Sequence, residues 1–319
     1  MTETPPVIII GGPTASGKSE LAIALAEQLD GVVINADSMQ VYRDLRILTA
    51  RPGVTDEARV PHKLFGFLDA GDICSAARWR DFAVASIDDA HAAGRRAIVV
   101  GGTGLYLRAL MSGLADVPPI PDTVRRKARA RHAELGGAAF HVDLAERDAT
   151  MAARLVPGDS QRTIRAWEVV VATGRSLADW QAAGESGNAR FVFNVALLLP
   201  PRETLYASCD RRLGDMVAEG AVDEVRALYA GVDAGRLVAE LPLFKALGVP
   251  EMHKYLRGET SLDAAIAAAQ QATRRFAKRQ MTWFRHQIPQ RSRPPLRHIF
   301  RYEEKYSVSI LDRIFSNMS

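Results

Sequence analysis

Short apolar runs alternate along this chain with longer segments in which apolar residues recur every three or four positions. The runs lie at 7–10 and within 31–42, 95–106 and 190–199. The segment after the first run, 20–29, places Leu21, Leu25 and Leu29 on one face of a helix. Strands that alternate with helices predict an α/β fold, a parallel sheet flanked by helices, whose ligands lie beyond the carboxyl ends of the strands.

A mostly helical and basic segment interrupts this alternation after the third run. We predict a helical insertion at 113–189 that divides the catalytic core into 1–112 and 190–286. Within the second part of the core, 262–286 is predicted to form one long helix. The remaining residues, 287–319, are a basic tail that the pattern does not assign to a role.

A glycine-rich loop, GGPTASGKSELA at 11–22, joins the first apolar run to the first predicted helix. Its glycines and its Gly-Lys-Ser end have the spacing G-x-x-x-x-G-K-[ST], which is typical of a phosphate-binding loop. With this loop the predicted α/β fold becomes a P-loop NTPase-like parallel sheet flanked by helices, with a mostly α-helical insertion domain. Unpaired N–H groups at the start of the helix attract phosphate oxygens, Lys18 would add a positive charge, and Ser19 would ligate Mg²⁺. The predicted phosphate site consists of Gly12, Pro13, Thr14, Ala15, Ser16, Gly17, Lys18 and Ser19.

Basic residues are unevenly distributed along the chain. The 319 residues carry a formal net charge of +4, but the stretch between Asp263 and Glu303 contains nine Lys or Arg residues and no acid. A second basic run, RRKARAR, occupies 125–131. Either run alone would most often be a solvated surface, whereas two such runs in one chain indicate a polyanionic partner.

Other features of the composition favour a cytoplasmic protein. No stretch approaches the roughly 20 apolar residues of a membrane span, and the start MTETPP lacks the plan of a signal peptide. Cys74 and Cys209 are not spaced for a zinc site or a disulfide framework, so we expect buried thiols. Without a zipper pattern we expect a monomer.

The second apolar run ends in a polar turn, NADSMQ, which contains Asp37. At the end of a parallel strand this carboxylate would face the phosphate loop, where it could accept a proton from an attacking hydroxyl or amine. The alternative interpretation is a turn or helix-capping residue. The third run ends in glycines, AIVVGGTG, whereas a P-loop ATPase that hydrolyses nucleotide normally has a magnesium-binding Asp at a strand end.

Three classes of function remain open from these residues alone. A small-molecule kinase explains the phosphate loop but not the two basic segments. A non-enzymatic RNA-binding module explains the basic segments but not a phosphate loop with an opposed carboxylate. A transferase that acts on nucleic acid, with diphosphate as the leaving group, explains both.

Five motifs carry a resemblance to a known family. They are GPTASGKSELA, INADSMQVYRDL, VGGTGLYLRAL, PGDSQRTIRAWEV and TRRFAKRQMTWFR, and they are spread over about residues 7 to 286. The chain resembles bacterial tRNA dimethylallyltransferases, also called tRNA isopentenyltransferases. The resemblance implies transfer of the dimethylallyl group from dimethylallyl diphosphate to N6 of the adenine immediately 3′ of the anticodon.

The resemblance also implies roles for individual residues. Thr14, Lys18 and Arg212 would stabilise the departing diphosphate together with Mg²⁺, and Asp37 would accept the N6 proton. Contacts with the tRNA anticodon stem-loop are implied or expected at Asp37, Ser38, Met39, Gln40, Thr103, Arg125, Gln161, Arg162, Thr163, Ile164, Arg165, Arg275, Lys278 and Arg279. ATP binding at the phosphate loop stays open.

Two segments depart from the family pattern. The sequence has PHKL at 61–64 where PHHL is common, and LFKALGVPE at 243–251 where the family usually has IGY. The second change affects one expected tRNA contact.

Overall fold

The computed structural model describes residues 6–183, 190–288 and 296–302. The chain divides into two compact units, one formed by Met1–Met111 with Ala189–Ser319 and the other by Ser112–Asn188. These limits lie close to those predicted for a core and an inserted helical segment. No helix of the described residues is long and apolar enough to cross a membrane.

A six-stranded parallel sheet forms the centre of the first unit. Its strands are β1 Val7–Gly11, β2 Gly31–Asn35, β3 His62–Lys63, β4 Arg96–Gly101, β5 Phe193–Leu198 and β6 Leu296–Tyr302. Their order in the sheet is β3-β2-β4-β1-β5-β6. β1 lies between β4 and β5, with Ile9 opposite both Val99 and Val195. The predicted parallel sheet is thus confirmed.

Helices cover the sheet and make up the second unit. In chain order they are α1 Lys18–Leu29, α2 Val54–Arg59, α3 Ala76–Ala92, α4 Gly104–Met111, α5 Asp122–Arg147, α6 Ala149–Arg154, α7 Ser160–Thr173, α8 Leu177–Ala182, α9 Arg202–Ala218, α10 Ala221–Asp233, α11 Val249–Leu256 and α12 Leu262–Gln287, with a 3₁₀ turn at Pro242–Lys245. The long helix predicted at 262–286 is α12. Helices α5 to α8 belong to the second unit.

Both faces of the sheet are apolar, because helices cover both. Val7 and Ile9 of β1 join a large cluster with α3, α4, α9 and α12, whereas Ile8 and Ile10 pack with Leu21 on α1. Continuous apolar strands of this kind are typical of parallel sheets buried on both sides. Polar groups of the first unit are consequently gathered at the ends of the strands.

Helix α12 lies close to the carboxyl ends of β1 and β4. A Cβ atom on Gly11, Gly102 or Gly104 would lie 2.8, 2.3 and 2.4 Å from Phe284, Gln280 and Trp283 respectively. No side chain fits in these gaps without moving the helix. The glycines of this edge therefore determine how near α12 can approach.

The second unit has a core of its own. Phe140 and Trp167 lie at its centre, and Asp143 beside them accepts hydrogen bonds from Arg131, Arg147 and the indole N–H of Trp167. The bond from Arg131 lowers the pKa of this carboxyl well below its usual range. A buried carboxylate with this many donors holds α5 and α7 in register.

Strand bounds and the tail differ from the sequence predictions. The run within 31–42 continues as a strand only to Asn35, because the Asn35 side chain then hydrogen-bonds the backbone of Asp37 and turns the chain. Strands β3 and β6 were not predicted. The predicted tail, 287–319, lies mostly outside the described residues, and within it β6 adds an edge strand beside β5.

Candidate active site

The phosphate loop and the turn after β2 meet at one cavity in the first unit. Both follow parallel strands, so both lie at the carboxyl edge of the sheet. The cavity has a volume of about 260 Å³. It is lined by Thr14, Asp37, Ser38, Met39, Leu48, Thr49, Cys209, Arg212, Leu213, Met216, Lys245, Ala246, Leu247, Thr273, Phe276 and Arg279.

The phosphate loop is shaped by its backbone. Gly12 admits no side chain, because a Cβ atom there would lie 2.6 Å from the carbonyl oxygen of Leu198. Gly17, the residue before α1, has a φ of 88°, which favours glycine. The hydroxyl of Ser16 is fully buried and has no hydrogen-bond partner among the described residues. An anion in the loop would give this hydroxyl an acceptor.

Gln280 of α12 joins the phosphate loop to the loop after β4. Its Oε1 accepts from the backbone N–H of Thr14 at 2.8 Å, and its Nε2 donates to the carbonyl oxygen of Gly102 at 2.9 Å. The side chain is 6% exposed. Since both ends of the amide are used, Gln280 fixes the two loops relative to each other.

Two cationic side chains face this loop. Lys18 donates from Nζ to the carbonyl oxygen of Pro13 at 3.1 Å, and Arg212 of α9 donates to the hydroxyl of Thr14. Burial lowers the pKa of Lys18 to about 8, while the charge of Asp37 raises it and that of Arg212 lowers it. Burial also lowers the pKa of Arg212. The low solvation of both cations favours an anion between them.

Asp37 is held by side chains on the opposite side of the cavity. The amide of Asn35 donates to the carbonyl oxygens of Asp37 and Leu64, both at 3.0 Å, and accepts from the N–H of Asp37 at 2.8 Å. The carboxylate Oδ1 of Asp37 accepts from the N–H of Met39 at 2.9 Å. This arrangement leaves Oδ2 available to a ligand in the cavity, as a proton acceptor requires.

The residues after Asp37 have different surroundings. The N–H of Ser38 donates to the hydroxyl of Thr103 at 2.9 Å, which ties the turn to the loop after β4. Ser38 and Met39 line the cavity. Gln40 does not point its amide hydrogens there, because Nε2 donates to the carbonyl oxygens of Thr49 and Ala50. The expected contact of Gln40 with the base would therefore have to be made by its side-chain oxygen, Oε1.

The basic residues predicted on α12 divide into two groups. Arg275, Lys278 and Arg279 are exposed, and Arg279 also lines the cavity. Arg274 is paired with Asp210 of α9. Arg274 and Lys278 lie at i,i+4 spacing, where like charges repel, and the pairing of Arg274 with Asp210 reduces that repulsion.

The remaining predicted RNA contacts lie in the second unit. Arg125 on α5 and Gln161 and Arg162 on α7 are exposed. Arg165 is half-buried and pairs with Glu168 at 3.5 Å. The other two members of the run face inward: Thr163 is buried with its hydroxyl bonded to the carbonyl oxygen of Asp159, and Ile164 packs against the core. Their contact with RNA stays a prediction.

The match with known proteins agrees with this geometry. The family model described as IPP transferase matches residues 40–287. The chain is 57% identical over 292 residues to a tRNA dimethylallyltransferase of Rhodospirillum centenum, which is 90% of this chain and 91% of the relative. It is 52% identical over 309 residues to the tRNA dimethylallyltransferase of Sphingopyxis alaskensis, covering 96% of each.

Solved structures give the same similarity. A tRNA isopentenylpyrophosphate transferase of Bacillus halodurans has a TM-score of 0.65 and 32% identity, covering 99% of this chain and 97% of that one. A eukaryotic dimethylallyltransferase acting on tRNA has a TM-score of 0.75 and 28% identity, covering 88% of this chain and 70% of that one. Of the enzyme classes that the motifs left open, these relatives favour the transferase over the kinase.

Proposed function

The chain belongs to the IPP transferase family, and from that premise we propose that it is a tRNA dimethylallyltransferase. The reaction moves the dimethylallyl group of dimethylallyl diphosphate to N6 of the adenine immediately 3′ of the anticodon. The observation that carries the proposal is that Arg212 and Asp37 line the same cavity, and that Lys18 of the phosphate loop lies close enough to feel the charges of both.

The cationic end of the cavity would hold the leaving group. As the bond between C1 of the prenyl group and the diphosphate oxygen breaks, its electron pair leaves with the diphosphate. Lys18 and Arg212 would stabilise that charge, and their bonds to Pro13 and Thr14 hold them beside the loop. Preorganised charge in a poorly solvated site stabilises such a transition state strongly.

Mg²⁺ would accompany the diphosphate at the phosphate loop. Among the described residues no group of three His, Cys, Asp or Glu side chains could hold a metal ion. A magnesium ion that is bound mostly by substrate phosphates needs few protein ligands, and the exposed hydroxyl of Ser19 at the start of α1 would supply one. Bound there, the ion would supply charge neutralisation of the diphosphate.

The apolar side chains of the cavity would surround the prenyl group. Leu213 and Met216 lie on α9 beside Arg212, and Leu48 and Phe276 line other parts of the cavity. This apolar lining would exclude water from a reactive allylic centre. It also matches the short branched hydrocarbon that remains once the diphosphate is held.

Asp37 would act on the acceptor. The bond between N6 and C1 forms as the bond to diphosphate breaks, and the N6 proton passes to the carboxylate of Asp37. An exocyclic amine of adenine is a weak nucleophile, so placement and proton removal both matter. The adenine must leave its stack to reach the cavity, at a cost of a few kcal/mol that contacts with the flipped base offset.

The exposed cations of α12 would hold the RNA. Arg275, Lys278 and Arg279 are solvent-exposed, and the last of them lines the cavity. Contacts of this kind release counterions, so tRNA affinity should fall steeply with added salt. A flat salt response would exclude this electrostatic role. With tRNA as its substrate, we propose a cytoplasmic enzyme that works as a monomer.

A label-transfer assay tests the proposed reaction. The protein is incubated with unmodified tRNA and either dimethylallyl diphosphate labelled in its prenyl carbons or ATP labelled in its γ-phosphate. We expect prenyl label in the RNA, released diphosphate, and no phosphoryl transfer to a substrate. Phosphoryl label in a product, with no prenyl label in RNA, would instead support a kinase. Added ATP in the first reaction tests whether nucleotides compete at the loop.

A further inference from the structure

Glu224 lies on α10 and does not line the cavity, yet it is bonded to the segment that forms one of its walls. Its Oε1 accepts from the backbone N–H groups of Arg46 at 2.6 Å and Ile47 at 2.8 Å. Its Oε2 accepts from the N–H of Leu48 at 3.0 Å. One carboxylate thus satisfies three consecutive backbone donors that are far from it in sequence.

The same segment, residues 46–50, is held from two other sides. Gln40 donates from Nε2 to the carbonyl oxygens of Thr49 and Ala50, which joins the segment to the turn that carries Asp37. Gly248 leaves space for the side chain of Leu48, since a Cβ atom there would lie 2.8 Å from Cδ2 of Leu48. In this position Leu48 is 7% exposed and lines the cavity.

We propose that Glu224 is a positioning residue that sets the depth of the prenyl pocket through Leu48 and Thr49. The inference rests on the proposed function, because it assumes that the apolar part of the cavity holds the prenyl chain. Glu224 fixes the backbone of 46–48, and that backbone fixes where the Leu48 side chain enters the cavity. The pocket accordingly accepts a five-carbon donor and excludes a longer one.

The physical reason is the number of donors that depend on one side chain. Without the carboxylate, three adjacent N–H groups lose their acceptor, and the segment relaxes toward solvent to regain hydrogen bonds with water. Its remaining ties are the bonds from Gln40 to Thr49 and Ala50 and the backbone bonds to the carbonyl oxygens of Arg46 and Ile47, and none of them gives the N–H of Leu48 an acceptor. The expected result is a wider pocket whose cationic end and Asp37 turn are unchanged.

The test compares two prenyl donors in Glu224→Ala. With dimethylallyl diphosphate we expect KM to rise about tenfold, while kcat changes by less than about threefold, because ground-state placement is lost and the chemistry is retained. With geranyl diphosphate, a ten-carbon donor, we expect the ratio of its kcat/KM to that of dimethylallyl diphosphate to rise about tenfold. The KM for tRNA should stay within about twofold.

Two further variants separate positioning from folding. Asp223→Asn removes an acid from the same first turn of α10 without touching 46–50, so it should behave as the wild type. Leu48→Ala widens the pocket directly. If Glu224 acts through Leu48, adding Glu224→Ala to Leu48→Ala should cause no further loss of selectivity for the short donor, because the effects of coupled residues are not additive.

Each outcome decides the question. The inference would be overturned if folded Glu224→Ala had the wild-type ratio of kcat/KM for geranyl and dimethylallyl diphosphate. It would also be overturned if the effects of Glu224→Ala and Leu48→Ala on that ratio were independent in the double variant. If Glu224→Ala does not fold, Glu224→Gln replaces it. Its amide keeps one acceptor oxygen but turns a donor toward the N–H of Leu48. The donor ratio of this variant should change in the same direction, by a smaller factor. A wild-type enzyme that prenylates no tRNA would instead overturn the proposed function.

Discussion

The phosphate loop and the Asp37 turn lie at the same edge of one sheet, but they are held in different ways. The loop owes its shape to backbone geometry at Gly12 and Gly17, with bonds to Thr14 from Gln280 and Arg212 of other helices. The turn owes its shape to side chains, with Asn35 bonded on both sides of Asp37. An anion site made of N–H groups needs only the right backbone, whereas a proton acceptor needs one oxygen at one place.

This difference determines which substitutions should affect the diphosphate, in its binding or its departure, and which should affect the acceptor amine. Changes at the phosphate loop should mainly alter the handling of the diphosphate. Changes at the turn should mainly alter the chemical step, with both substrates still bound. The following four experiments test that division.

The largest effect is expected at Asp37. Asp37→Ala should lower kcat by about 10²- to 10⁴-fold, because the proton acceptor is gone. Asp37→Asn should be nearly as slow, although its Oδ1 can still accept from the N–H of Met39, as the carboxylate does. Steady-state prenylation measures kcat, and a filter-binding assay measures tRNA affinity, which should stay nearly unchanged. Near wild-type turnover in Asp37→Asn would remove this residue as the base.

A smaller effect is expected at Arg212. Arg212→Ala should lower kcat by about 10²- to 10³-fold, since a preorganised cation at the departing charge is lost. Arg212→Lys should recover part of that loss. Arg211 is exposed on the same helix and has no role at the loop, so Arg211→Ala provides the matched control. Equal losses in the two alanine variants would contradict a specific role of Arg212 at the diphosphate.

Asn35 should have an effect on both stability and rate. Its side chain is fully buried, and Asn35→Ala leaves the N–H of Asp37 and the carbonyl oxygen of Leu64 without their partner, which should cost about 1–3 kcal/mol in the free energy of unfolding. Misplacement of Asp37 should lower kcat about tenfold while the KM for the donor is kept. Urea unfolding and steady-state kinetics measure the two effects. A rise in KM with kcat unchanged would be opposite to this expectation.

The pH dependence of donor binding should report on Lys18. In the free enzyme its pKa is lowered to about 8, and a bound diphosphate raises it, so binding takes up a proton at higher pH. The KM for the donor should therefore be constant below pH 8 and rise above it by at most about tenfold per pH unit. Lys18→Arg, which stays charged, should lack this rise. A flat wild-type profile would contradict the assignment.

Much of the cavity could be predicted from local sequence. A phosphate loop has a fixed glycine spacing and follows a strand. The apolar run before the loop predicts that strand, so the run and the spacing support the same interpretation. Asp37 was placed because it follows the second run. Parallel strands then bring both to the same edge without knowledge of the rest of the chain.

The supports of the cavity were not predicted, because they come from distant parts of the chain. Gln280 is 266 residues from Thr14, and Glu224 is 178 residues from Arg46. One signal was present for Gln280: it lies on the same helix face as Ala277 and Phe284, which are buried, and a polar residue on such a face needs partners. Glu224 had no such signal, because the sequence gives no reason to distinguish it from Asp223, the neighbouring acid in the first turn of α10.

The tail shows a different limit. Strand β6 occurs in a segment with basic and proline residues that does not alternate clearly, and it becomes a strand by pairing with β5. Edge strands of this kind depend on tertiary context more than on their own pattern. The same reason explains why the two residues of β3 were not predicted.

The close approach of α12 to the strand ends also affects how mutational maps of this enzyme should be interpreted. Gly102 and Gly104 stand in one of the five family motifs, VGGTGLYLRAL, yet a side chain at either position would collide with Gln280 or Trp283 of α12. An alanine scan would score both positions as essential. That result would measure the seating of a helix, and it would identify no ligand.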